Sequence, residues 1–316
     1  MGTTLSSVPA LAARIAGAHD VALGAYILGR GPVREALIDA ARRGAYVNVV
    51  LPRAPWPDPD GDCRRTNACA ARALRAAGAH VRLLGPDPHT TFHLKAAVCD
   101  GIAYLDDRNW TRSGRELVVA DDDPPAVALV RAALRGRGGA VDGLATRKDD
   151  AQRLELDLIA SAGSAPVTVE TETIGAGPLT AALAHHAAAG AATTLIVSGE
   201  ASAHAGALLA QLRQAGVTVR TGGANEKLAL VGERAWIGSA NATFAGKAYG
   251  EQLDWGTVTA DVPRVAAVKT ALARDVGRSA SVSARWAVAA LRSALRPALG
   301  GGGAAASRAD ACAGPA

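Results

Sequence analysis

The sequence predicts an α/β protein made of two lobes related by internal duplication. Two β-to-helix segments repeat one another, two apolar hairpin sequences share one register, and the composition can fill two cores. At 316 residues, 49% hydrophobic and 20% charged, the chain is long enough for one large or two ordinary globular domains. It is not the composition of a disordered polymer.

The repeat begins with Tyr26-Ile-Leu-Gly-Arg-Gly-Pro-Val-Arg-Glu-Ala-Leu37 in the first half and Glu172-Thr-Ile-Gly-Ala-Gly-Pro-Leu-Thr-Ala-Ala-Leu183 in the second. Each follows an alternating, strand-like run and leads into a helix that ends near a glycine, Gly44 or Gly190. An apolar strand comes next, Val47–Leu51 in one copy and Thr194–Val197 in the other. A second helix then closes on Leu74-Arg-Ala-Ala-Gly-Ala-His-Val-Arg82 or on Leu212-Arg-Gln-Ala-Gly-Val-Thr-Val-Arg220. The order of helices and strands, repeated once, implies two α/β lobes. The expected boundaries are 1–145, 146–276 and a C-terminal tail, 277–316.

Each lobe ends in a hairpin that carries polar residues of chemical interest. The first reads His93-Leu-Lys-Ala-Ala-Val-Cys-Asp100-Gly-Ile-Ala-Tyr-Leu-Asp106-Asp-Arg-Asn109, with Asp100-Gly101 as its turn signal. The second reads Asn225-Glu-Lys-Leu-Ala-Leu-Val-Gly232-Glu-Arg-Ala-Trp-Ile-Gly238-Ser-Ala-Asn241. The interval from His93 to Asn109 equals that from Asn225 to Asn241. Residues two apart on a strand share a face, so His93 can converge with Lys95 on one ligand, and Asn225 with Lys227. Two glutamates, Glu116 and Glu251, follow the hairpins and open similar strands.

Charge argues against a protein that coats nucleic acid. The formal net charge of +5 is accounted for by five arginines between Val276 and Ala309, a stretch without lysine or acidic residues. The remainder is balanced, whereas nucleic-acid binding usually shows as a basic domain or stripe. Residues 282–299 can form a basic amphipathic helix suited to an anionic membrane surface, or to the protein body. A Gly/Ala-rich tail follows. No run is apolar enough to span a bilayer, and a cytoplasmic location, with possible peripheral membrane contact, is the expectation. Cys63, Cys69, Cys99 and Cys312 lack zinc-ligand spacing and are expected to be free thiols, with Cys99 in the core.

The His93-x-Lys95-x4-Asp100 pattern, with the Gly238-Ser239-x-Asn241 sequence that follows the second copy, resembles the signature of the phospholipase D superfamily. The resemblance runs from about Leu5 to Val276. It implies a duplicated phospholipase D-like α/β/α sandwich with mixed sheets, its two lobes facing across one site. It also implies a monomer that forms a pseudo-dimer within one chain, and chemistry without metal or cofactor. His93 would attack phosphorus and form a covalent phosphohistidine. Lys95, Asn109, Lys227 and Asn241, with Ser239 in support, would hold the phosphoryl oxygens, and Asp100 completes the motif. A carboxylate should orient the imidazole, and Glu251 or Glu116 is expected to do so.

The second copy departs from the pattern. Asn225 replaces the histidine that would protonate the leaving group, a role worth about 10²–10⁴-fold, and Gly232 replaces the aspartate. In the first copy Asp106-Asp107 replaces Gly-Ser, and two carboxylates there would repel a phosphate unless they turn away or pair with Arg108 or Arg112. His204, after the second-lobe strand, is weighed as a substitute acid. Two functions remain open on these residues. One is a phosphodiester hydrolase or phosphatidyltransferase, acting on phospholipid somewhat before nucleic acid. The other is a former enzyme that binds phosphate-containing ligands or polyanions. Residues 53–65, a Pro-rich insertion, can wall the pocket.

Overall fold

The computed structural model describes residues 4–55, 60–85, 92–110, 117–199, 204–243 and 252–277. Glu116, Glu251, Arg112, Cys312, the middle of the 53–65 insertion and the 282–299 segment lie outside them.

The first lobe runs β1 (Thr4–Ser6), α1 (Val8–Gly17), β2 (Asp20–Gly24), α2 (Pro32–Arg42), β3 (Tyr46–Pro52), α3 (Asp62–Ala76) and β4 (His80–Leu84). It continues with β5 (Ala96–Cys99), β6 (Ile102–Asp106), β7 (Val118–Asp121) and α4 (Pro124–Leu134). The strands form a seven-stranded sheet in the order β1-β7-β6-β5-β2-β3-β4. The strands β2, β3 and β4 are parallel, joined by crossover helices, while β5, β6, β7 and β1 are antiparallel to their neighbours.

The second lobe repeats this plan. It comprises β8 (Ala140–Val141), β9 (Leu144–Ala145), α5 (Lys148–Ala160), β10 (Val167–Thr171), α6 (Pro178–Ala188), β11 (Thr193–Val197), α7 (Gly206–Gln214) and β12 (Thr218–Thr221). The hairpin β13 (Leu228–Val231) and β14 (Arg234–Gly238) follows, then β15 (Gly256–Thr259) and α8, residues 262–277. The sheet order is β12-β11-β10-β13-β14-β15-β9-β8. The short β8–β9 hairpin, placed by the sequence in the first lobe, pairs instead with β15, so the second sheet begins before residue 146.

Local chemistry explains the matching helices. Both α2 and α6 open on Gly-Pro, and proline at the first helical position costs no hydrogen bond and presets the backbone angle. Along α2 the buried residues Val33, Ala36, Leu37, Ala40 and Ala41 follow the helical period and lay one apolar stripe on the sheet. Gly44 and Gly190, at φ +90° and +85°, supply the left-handed residue that ends each helix.

Side-chain alternation in the strands divides the interior into three layers. Ala97 and Cys99 of β5 face a core with α1, α2 and α3, whereas Ala96 and Val98 face the opposite side. The second lobe packs α5, α6 and α7 on its own outer face. Between the sheets lies one shared cluster, to which both lobes contribute: Phe92, Leu94, Leu105, α4 and Val119 from the first, Leu228, Ile237, Trp255 and α8 from the second. The lobes therefore bury a common apolar middle. Trp236 fills a slot made by absent side chains, because a Cβ on Gly238 or Gly256 would fall 2.6 Å from its indole.

Cys99 is buried and its thiol is pushed up to about 12 by burial, as befits a core residue. Cys63 is also free. Cys69, expected to be a free thiol, is disulfide-bonded.

Candidate functional site

The site is assembled where the hairpin of each lobe meets the other lobe. His93 lies just before β5, and its backbone N–H donates to the Leu253 carbonyl at 3.0 Å, while Phe92 and Leu253 form an isolated parallel bridge. The segment bearing His93 is thus fastened to the strand of the second lobe that precedes β15. This places His93 Nδ1 2.8 Å from the Asp254 carboxylate. Asp254 is itself fixed by Ser239, whose hydroxyl donates to the same carboxylate oxygen at 2.7 Å and accepts from Trp255 N–H at 3.1 Å. The Trp255 indole N–H donates back to the Asp106 carbonyl at 2.8 Å, so the contact is locked from both lobes.

With Nδ1–H directed at Asp254, Nε2 carries the lone pair, which accepts from Lys95 Nζ at 2.7 Å in the free protein. Burial lowers the His93 pKa, against the pull of Asp254, so the imidazole is neutral at pH 7. Burial also pulls Lys95 down to about 7, opposed by Asp254 and reinforced by Lys227. Burial pushes the Asp254 carboxyl the other way, but His93 and Lys95 together hold it below the ordinary carboxylate range. The edge of the Tyr26 ring meets His93 with centroids 4.5 Å apart, and Lys95 Nζ stands 5.5 Å from the Tyr26 ring centre.

Across from this half, Lys227 is buried and donates to the Glu172 carboxylate at 2.7 Å and to the Asn225 carbonyl at 3.1 Å. Asn225 has φ +68°, a left-handed backbone that asparagine tolerates better than most residues. The second motif therefore differs from the first in backbone as well as in side chain. The two asparagines keep the duplication's symmetry. The Asn109 carboxamide oxygen accepts from Ile27 N–H at 3.2 Å and that of Asn241 from Thr173 N–H at 3.3 Å, which leaves each side-chain amino group as a donor.

Not every residue of the motif joins the site. Asp100 occupies the hairpin turn with Gly101, both at positive φ as a tight hairpin requires. Its carboxylate accepts the N–H groups of His19 and Asp20 at 3.1 and 2.9 Å, five residues and about 16 Å of strand away from Lys95. It clamps the start of β2. Gly232, without a carboxylate, closes the equivalent turn at φ +56°. Ser239 is spent on Asp254 and Trp255, which makes it a support for the carboxylate. Asp106 and Asp107 are fully buried and turn onto the backbone: Asp106 accepts from Trp110 N–H at 2.7 Å, Asp107 from Leu117 N–H at 3.2 Å. Burial and its neighbour Asp106 raise Asp107 well above the usual range. Arg108 donates to the Ala224 carbonyl.

The carboxylate beside His93 is Asp254, a residue that the sequence did not single out; the expected Glu251 and Glu116 lie outside the described residues. Strand register accounts for its place. Asp106 pairs with Val118 and Gly238 with Gly256. Two residues before these partners stand Glu116 in the first lobe and Asp254 in the second, so Glu116 and Asp254 are the equivalent positions and Glu251 is out of step by three. Glu172 and Tyr26 were also missed, although they head the two repeated segments and were visible as a matched pair. His204 is exposed, and no contact among the described residues brings it to His93.

Among the described residues, Glu170, Glu226 and Asp275 bring buried carboxylate oxygens within 4.8 Å of one another. Burial raises Glu170, with Asp275 and Glu226 adding to it, and pushes Glu226 to about 7, while Arg274 donates to Glu226 at 2.6 Å. Proton retention and arginine pairing offset this charge.

The fold is the duplicated α/β fold with mixed sheets that the sequence implied. Among solved structures, the polyphosphate kinase of Porphyromonas gingivalis matches with a TM-score of 0.58 at 16% identity, over 82% of this chain and 48% of its own. This chain thus spans about half the length of that kinase. Nuc of Salmonella typhimurium, described as a phospholipase D family member, matches at TM-score 0.34 and 18% identity over 43% of this chain and 91% of its own. NucT from Helicobacter pylori matches at TM-score 0.33 and 16% identity over 42% and 92%. No family model and no curated protein matches the sequence.

Proposed function

We propose that the protein is a phosphoryl-transfer enzyme that cleaves phosphodiesters through a covalent phosphohistidine on His93 Nε2. The observation that carries this reading is the His93–Asp254 contact at 2.8 Å. It fixes the tautomer with Nδ1–H towards Asp254, while burial, against the pull of Asp254, keeps the imidazole neutral, which is the state a nitrogen nucleophile needs. Lys95 and Lys227 supply positive charge where an anionic diester would otherwise repel attack, and the amino groups of Asn109 and Asn241 are suited to non-bridging oxygens.

A phospholipid remains the favoured diester, because the formal charge outside the Arg-rich C-terminal stretch is balanced, whereas nucleic-acid binding usually shows as a basic domain or stripe. Polyphosphate, named for the kinase of similar fold, shares the phosphate group that both lysines suit and belongs in the same substrate panel. The rival reading, a former enzyme that only binds phosphate, draws on Asn225 and on the engagement of Lys227 by Glu172.

Wild type and His93→Ala are to be incubated in EDTA with bis(p-nitrophenyl) phosphate, a short-chain phospholipid and polyphosphate. Turnover and an acid-labile phosphoenzyme are expected for wild type alone. Equal rates for the two proteins, with no phosphoenzyme, support the binding-only reading instead.

A further inference from the structure

The phosphoryl-transfer reading leaves a gap, since Asn225 neither delivers nor accepts a proton at neutral pH. Attack by His93 expels a leaving group on the opposite side of phosphorus, because nucleophile and leaving oxygen stand roughly in line. His93 belongs to the first lobe, so the leaving group faces the second. There the structure places Glu172, held through its backbone carbonyl by the Ser198 hydroxyl at 2.7 Å and through its carboxylate by Lys227 at 2.7 Å. Glu172 is the duplication's counterpart of Tyr26, the residue packed against His93. Its side chain is 37% exposed against 4% for Lys227, so the carboxylate is the solvent-facing member of the pair and the one free to change partner.

We propose that Glu172 is the proton donor of this site in place of the missing histidine, and that bound phosphate readies it by taking Lys227 away. This rests on the phosphoryl-transfer function proposed above.

Charge balance gives the reason. Below pH 7, where Lys95 keeps its proton, Lys95 and Lys227 face Asp254 and Glu172 with His93 neutral, so two cations meet two anions before substrate arrives. A phosphodiester adds one negative charge. Neutrality returns when the site takes up one proton, and the phosphate now pairs with Lys227. In the free protein, burial favours the neutral Glu172 carboxyl, but Lys227, with Lys95 and His93 beside it, keeps the group ionised. Loss of Lys227 to the phosphate reverses that balance in favour of the acid.

The steps then close. The Nε2 lone pair of His93 forms the N–P bond, the bond from phosphorus to the leaving oxygen breaks, and that oxygen takes the Glu172 proton. In the second half, the Glu172 carboxylate takes a proton from water as its oxygen attacks phosphorus. The N–P bond breaks and its electrons return to Nε2.

The test compares wild type, Glu172→Gln and Glu172→Asp on the p-nitrophenyl and the unsubstituted phenyl ester of one phosphodiester. A phenolate leaves poorly and needs the proton, whereas p-nitrophenolate depends on it less. For Glu172→Gln, kcat should fall on both esters, and the nitrophenyl-to-phenyl rate ratio should widen by about tenfold or more, within the range of general acid catalysis. KM should not rise, because Lys227 loses a competitor for phosphate. Glu172→Asp should narrow the ratio again. An equal fall on both esters, or a rise in KM without change in kcat, overturns the assignment while leaving the phosphohistidine mechanism standing. Wild type that turns over neither ester and traps no phosphoenzyme overturns both.

Discussion

Replacing Asp254 by asparagine keeps the size of the side chain and removes its charge, with two separable consequences. The first is the loss of a charge-assisted acceptor for His93 Nδ1–H. Such bonds contribute about 1.5–3 kcal/mol, or roughly 10- to 150-fold in kcat/KM if the interaction is retained in the transition state. The second concerns Lys95. Its Nζ lies 2.9 Å from His93 Nδ1, which in turn lies 2.8 Å from Asp254. The ammonium is therefore within about 6 Å of the carboxylate, where two unit charges interact by about 3 kcal/mol at an effective dielectric constant near 20. That equals about two pH units. Lys95 stands at about 7 with Asp254 present, and Asp254→Asn should bring it to about 5.

The sign follows from the role of the ammonium. Lys95 must be protonated to hold phosphate, so activity falls as pH rises through its pKa. The profile of kcat/KM for a nitrophenyl diester should show an alkaline limb near pH 7 in wild type, displaced about two pH units towards acid in Asp254→Asn. Competitive acetylation of Lys95 reads the same titration without turnover. An alkaline limb that stays near pH 7 in both proteins would mean that Asp254 does not set the charge on Lys95, and the electrostatic account of the site would be wrong.

Two further outcomes concern stability. Glu155 is buried in α5, and burial pushes it up to about 8 from 4.5. Its folded pKa exceeds its unfolded one, so its favourable contribution is complete below about pH 4.5 and is lost as pH rises towards 8. Glu155→Gln should raise Tm at pH 9 and change it little at pH 4, with an intermediate gain between, and a Tm difference independent of pH would refute the assignment. Trp255→Phe keeps the buried ring but leaves the Asp106 carbonyl without its indole donor, at a cost of about 1–3 kcal/mol. Urea unfolding should show this as a lower midpoint at unchanged slope. An unaltered midpoint would show that the bond does not help to hold the lobes together.

Much of this architecture was legible because duplication writes the same physical requirements twice. Gly-Pro at the start of α2 and α6, glycines after both helices, and the short apolar runs of β5 and β13 all express backbone and burial rules that act within a few residues. The orienting carboxylate was less accessible. Asp254 lies far from His93 in sequence, and only the pairing of Gly238 with Gly256 and of Phe92 with Leu253 brings it opposite the first lobe's histidine. Asp106 and Asp107 looked like an electrostatic obstacle in one dimension. In three, each carboxylate accepts a backbone N–H, Asp106 from Trp110 and Asp107 from Leu117, with Lys95 and Lys227 near enough to feel their charge. Glu172 escaped notice because its contact with Lys227 spans fifty-five residues of sequence, and nothing local to either residue announces it.

The fastening of His93 to Leu253 and Asp254 also bears on how such a chain can change over generations. The half that lost its histidine still supplies the carboxylate that aligns the surviving one, together with the strand on which that residue hangs. Decay of the second motif is therefore not a step towards dispensing with the second half. On the proposed mechanism one copy supplies the attacking nitrogen and the other its alignment, so neither half would serve without the other.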